Sequence, residues 1–128
     1  MNQPHTNAIL PFTPSEDLTG KEGLAVSING ADGTVALTAD FGELPHGIII
    51  LGTNTDEKSS IAMVYGGVTG TVKIKLNSTV DAGGLMQHKQ DGFIASTNSP
   101  MCCAQALESG ASGEFVEAVL FAATTTDA

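Results

Sequence analysis

Two adjacent cysteines, Cys102 and Cys103, are the first side chains in this 128-residue chain whose types could do chemistry. Side by side they could form a strained vicinal disulfide or part of a soft-metal site. Zinc would want two more ligands at matching spacing, and the nearest histidine, His88, stands alone. Neighbouring residues on a strand point to opposite faces, so the pair cannot easily share a metal. What remains is burial as small hydrophobes, with no metal and no cofactor. His5, His46 and His88 fall in three different segments, none spaced like a metal pair. There is no Gly-x-Ser-x-Gly elbow, no P-loop and no GxGxxG after a strand. Gly66, Gly67 and Gly70 lie between two strand-like segments and open no helix that could hold phosphate. Carboxylates are plentiful, but no run of them has the spacing of an EF-hand loop. No catalytic constellation emerges. The expectation is a protein that adheres to something and is not an enzyme.

Strands have to position these residues. From Leu24 the apolar period is two: Leu24, Val26 and Ile28, then turn residues Asn29 to Gly33, then Val35 and Leu37. That pattern predicts a hairpin. Four aliphatics, Ile48 to Leu51, sit between Gly47 and Gly52 and predict a strand buried on both faces. Ile61, Met63 and Tyr65 alternate until Gly66-Gly67. Val72, Ile74 and Leu76 alternate with Thr71, Lys73 and Lys75, which places two lysines on one face. Asp81 to Gly84 reads as a turn. Leu85 to Gln90 and Phe93 to Ser96 flank Asp91-Gly92, a two-residue hairpin loop of the type I′ kind. Cys102 to Leu107 is either a strand or a short helix. Phe115 to Phe121 closes the domain, and residues 122–128 are expected to fray.

About eight short strands at this spacing predict an all-β fold, a small β-barrel or compact β-sandwich. Full closure is favoured, because an open, Gly-rich and weakly charged sheet would expose sticky edges.

Residues 1–20 differ from the domain expected over 21–128. Pro4, Pro11 and Pro14 exclude a central strand or a helix interior and predict an extended N-terminal arm. Its apolar cluster, Ile9, Leu10, Pro11 and Phe12, either tucks onto the domain's own core or anchors the arm to another chain. A short helical turn is expected over Ser15 to Leu18, with Ser15 as N-cap and Gly20 and Gly23 ending it.

Composition narrows the partners. Charged residues make up 15% of the chain, against a usual figure of about 25%, while 41% are hydrophobic. That balance opposes disorder. The charges are 14 Asp and Glu against 5 Lys and no Arg, a net −9. Nucleic acid and anionic membrane are therefore excluded as partners, since both are gripped by cations. The longest apolar run has four residues, far below the ~18 that span a bilayer. No basic and apolar leader opens the chain, so it is expected to act in the compartment that makes it.

From Val68 to Phe121 the chain reads VTGTVKIKLNSTVDAGGLMQHKQDGFIAS, and later CAQALESGASGEFVEAVLF. This resembles the small capsid cement, or decoration, proteins of tailed bacteriophages. The matching elements are Gly70 to Leu76, Ala82-Gly83-Gly84, Asp91-Gly92, Ala104 to Glu108, Gly113-Glu114 and Val116 to Leu120. Asp17 to Gly23 and Gly47 to Leu51 are similar in style, so the likeness begins near Glu16. The chain departs from the pattern at Met101-Cys102-Cys103, where aliphatics are usual. The resemblance implies a β-barrel-like fold, homotrimers on the capsid exterior bound to the major capsid protein, and no enzymatic activity. It also implies synthesis in the host cytoplasm and residence in the virion. The arm, extended, could reach a neighbouring capsid subunit at most ~65–70 Å away, with Ile9, Leu10, Pro11 and Phe12 as the capsid-binding residues. Two other readings stay open: a fibre or tail module of the virion, and a non-viral binding or carrier barrel. A carrier barrel would want a lysine at a hairpin tip, where Lys89 is the candidate.

Overall fold

A computed structural model describes residues 9–38, 45–63, 71–89, 91–96 and 102–121. His5, Tyr65, the Gly66-Gly67-Gly70 cluster, Met101 and the 122–128 tail lie outside the described residues. Among the described residues, apolar–polar alternation resolves into ten strands. They are β1 (Ile9–Phe12), β2 (Ala25–Ile28), β3 (Val35–Leu37), β4 (Gly47–Leu51) and β5 (Ser59–Met63), followed by β6 (Val72–Lys75), β7 (Leu85–Lys89), β8 (Gly92–Ala95), β9 (Ala104–Ala106) and β10 (Phe115–Leu120). The middle of the Cys102–Leu107 segment, Ala104–Ala106, is thus a strand, and Ser15 to Leu18 bends at its first two residues and forms no helical turn.

The ten strands form two antiparallel five-stranded sheets, ordered β1-β5-β4-β2-β3 and β6-β10-β9-β7-β8. The second order is the first, shifted by one half of the chain. Register repeats with it. Leu10 faces Ile61 as Val72 faces Ala118, and Val26 faces Leu37 as Met86 faces Ala95. Ile49 faces Ile61 as Ala106 faces Ala118, and Ala25 faces Ile48 as Leu85 faces Gln105. The chain is a tandem pair of one supersecondary unit, which the sequence reading did not anticipate.

Closure into one barrel of about eight strands does not occur among the described residues. Each sheet instead curls until its outer strands meet at one parallel bridge, Pro14 with Val35 in the first and Leu76 with Phe93 in the second. Those contacts satisfy edge groups that would otherwise be sticky: Val35 donates to Thr13 O at 3.0 Å, and Asn77 donates to Phe93 O at 2.7 Å.

Inside the first unit Leu18, Val26, Val35, Ile49 and Ile61 are buried, with Phe12 and Leu37 packed against them. The second unit buries Ile74, Val80, Met86, Phe93, Ala106 and Ala118. Fully hiding a side chain such as Phe93 or Met86 contributes about 1.5–3 kcal/mol. Ala25, Ile48 and Ala62, on the other face of the first sheet, join the second unit's cluster and bind the two units together.

Three sequence expectations need correction. Residues 9–12 are β1, an edge strand paired to β5, so an arm running to residue 20 does not describe residues 9–20. Pro11 is tolerated there because an edge strand has one unpaired side on which no donor is needed. The β7–β8 hairpin forms, but Lys89 pairs with Gly92, so Gly92 opens β8, at φ +148°, and is not a loop residue. The Ile48 to Leu51 run is not buried throughout. The register shifts between Ile49 and Leu51, and Ile50 and Leu51 turn outward. An extra residue in one strand bends it and re-aims its side chains.

Candidate attachment surface

The residues first suspected of chemistry hold the backbone. His46 Nδ1 accepts the Ile28 N–H at 2.9 Å. At the equivalent place in the second unit the Cys103 sulfur receives the backbone N–H of His88. Both groups satisfy a donor on the strand that follows each unit's first loop. Cys102 and Cys103 are fully buried thiols. Burial, with Cys102 adjacent, pushes the Cys103 thiol up to about 12, far from a reactive thiolate. Two buried polar pairs are also duplicated: Ser27 with Thr38 at 2.9 Å, and Ser96 donating to Gln87 Oε1. Asp17 and Asp32 are held below the usual carboxylate range by hydrogen bonds from Thr19 and Thr34, each capping an exposed turn. Among the described residues no three His, Cys, Asp or Glu side chains converge as a metal site.

An apolar groove of about 400 Å³ lies where the two units meet. One wall is Ile9, Ile49 and Ile50 from the first sheet; the other is Val72, Lys73 and Phe115 from the second. Ile9 (42%), Ile50 (38%) and Phe115 (48%) are far more exposed than large apolar side chains in a core, so the groove is an open apolar surface. Glu117 closes one end, accepting the Thr71 hydroxyl at 2.6 Å with Lys73 Nζ 3.9 Å away. Gly23 sets the width. Its φ is +87°, and a Cβ there would come within 2.8 Å of the Lys75 nitrogen and 2.9 Å of the Phe115 ring. Only glycine lets the units approach so closely.

The four residues expected to bind a partner are split by the pleat. Ile9 and Pro11 face outward, Leu10 and Phe12 are half-buried, and Phe12 packs on the first core. Ile9 alone of the four lines the groove. Sequence reasoning missed Ile50 and Phe115. Ile50 owes its exposure to the register shift in β4, which no alternation reveals. Phe115 opens β10 on the face opposite Val116 and Ala118, a signal available from period two.

No protein-family model matches this chain, and no curated protein matches it. Among solved structures, the fold is similar to that of the head fiber gp8.5 N base of bacteriophage phi29. The TM-score is 0.66 at 12% identity, over 88% of this chain and 92% of that one.

Proposed function

We propose that this chain is a structural virion protein of phage type: a capsid cement, or decoration, protein. On this reading it binds the outer surface of an assembled head as an oligomer, with the major capsid protein as partner, and catalyses nothing. The observation that carries the proposal is the near full-length fold likeness to the base of a phage head fiber. The exposed apolar groove supplies the means of adhesion. Binding an assembled shell better than free subunits stabilises the shell by mass action, and several weak contacts linked in an oligomer multiply through effective concentration. A net charge of −9 argues against nucleic acid or an anionic membrane as partner. No helix among the described residues is long and apolar enough to cross a membrane.

A second reading is favoured by the fold neighbour itself: the chain as the attachment base of a fibre or tail module. Both readings place the protein in the virion, made in the host cytoplasm. Co-sedimentation with undecorated heads, followed by calorimetry of the heads, tests them together. A cement protein binds and raises the melting temperature of the shell. A fibre base binds at a few sites and shifts it far less than a protein that coats the shell. Failure to co-sediment with any head that lacks it overturns both.

A further inference from the structure

Ile9, Ala62, Ile48 and Ala25 form one cross-strand row over the face of the first sheet. Ala62, Ile48 and Ala25 are covered by the second unit, whose Lys75 donates its backbone N–H to Gly23 O at 3.1 Å. Duplication places Val119, Gln105 and Leu85 in the matching row of the second sheet. Nothing within the described residues covers that row in the same way: Val119 is 39% exposed, and Leu107, further along the same face, 48%. Here the carbonyl of Gly83, counterpart of Gly23, is met by the chain's own Gln105 amide at 3.2 Å.

We infer that a second copy of this chain docks on the Leu85–Gln105–Val119 face, repeating between molecules the contact that joins the two units within one. The docking surface on the incoming copy follows from the same equivalence. The second unit meets the first through Val72, Lys73 and Phe115, and the counterparts of those positions are Leu10, Pro11 and Lys58 on the first unit's outer rim. Pro11 and Lys58 are exposed there. Charge agrees, because Glu108 lies beside the accepting face, where its carboxylate receives the Glu117 N–H at 2.9 Å. The incoming rim brings Lys58. Such a contact is head-to-tail: different patches meet, so copies add in one direction and form a ring or an open row. The inference goes beyond the capsid reading, because it concerns the purified protein with no head present.

Sedimentation velocity of the full chain over a concentration series reads it directly. The wild type self-associates. Val119→Lys on the accepting face and Lys58→Glu on the rim each weaken association about tenfold or more. Mixed in equal amounts, the two variants form a 1:1 dimer through their remaining intact patches, the signature of a head-to-tail interface. Circular dichroism checks that each variant is folded, and Leu107→Lys replaces Val119→Lys if that one is not. A wild type that stays monomeric up to its solubility limit overturns the inference. So does association unaffected by the accepting-face variants, or a mixture that remains monomeric.

Discussion

The carbonyl of Gly23 accepts the backbone N–H of Lys75 at 3.1 Å, fastening the loop before β2 in the first unit to the end of β6 in the second. The bond needs a residue without a side chain, at a positive φ, on the acceptor side. Gly20 has a similar φ, +77°, but faces open space. The two glycines therefore separate conformational strain from steric contact.

Gly20→Ala is expected to cost about 1–2 kcal/mol, the penalty of a left-handed backbone alone. Gly23→Ala carries that penalty together with a clash against backbone, and is expected to cost clearly more. Urea denaturation of the two variants measures the difference. Equal losses would show that the units are not pressed together at Gly23.

Alkaline stability follows from the thiols. The Cys103 pKa stands at about 12 in the fold against 9.0 unperturbed, and burial raises Cys102 as well. Between those pH values the unfolded chain gives up protons that the folded chain retains, so folding stability falls as pH rises. Below pH 9 the thiols contribute no such slope. The double variant Cys102→Ala, Cys103→Ala should lose stability at neutral pH through lost packing, yet show a shallower decline above pH 9 than the wild type. Parallel declines in the two proteins would contradict the burial of both thiols.

Alternation made most strands legible, because the inner face of each sheet is packed with large apolar side chains and period two marks it. Residues 9–12 were harder, since Pro11 reads as a breaker unless the strand is known to be an edge. The duplication escaped notice because equivalent core positions exchange size. Ile49 and Ile61 in the first unit correspond to Ala106 and Ala118 in the second, while Val26 and Val35 correspond to Met86 and Phe93. Bulk shifts between strands, smaller side chains on β9 and β10 facing larger ones on β7 and β8, which packing tolerates. The groove was illegible for another reason: it joins residues from both units and depends on one register shift.

That compensation makes a prediction of its own. Ala118→Ile enlarges the second core to match the first at one position only, and should destabilise by about 1–3 kcal/mol through overpacking. Adding Phe93→Val should restore part of the loss. Calorimetric melting of the single and double variants tests it, and simple additivity of two losses would count against the compensation.

Groove residues should matter for attachment more than for folding. Ile50→Asp and Phe115→Ser are expected to reduce binding to heads about tenfold or more, with little change in melting temperature. Leu51→Asp is the control, because Leu51 is 56% exposed but does not line the groove. Pelleting assays with labelled protein give the affinities. If Leu51→Asp impairs binding as much as Ile50→Asp, the groove has no special part in attachment.

The proposal that the chain attaches to the outside of a phage head is tested most directly by electron cryomicroscopy of heads incubated with the purified protein. Density on the outer surface should fit the two five-stranded units, with Ile9, Ile50 and Phe115 turned toward the shell. Heads whose surface is unchanged by the protein, or density with the groove facing solvent, would contradict the account.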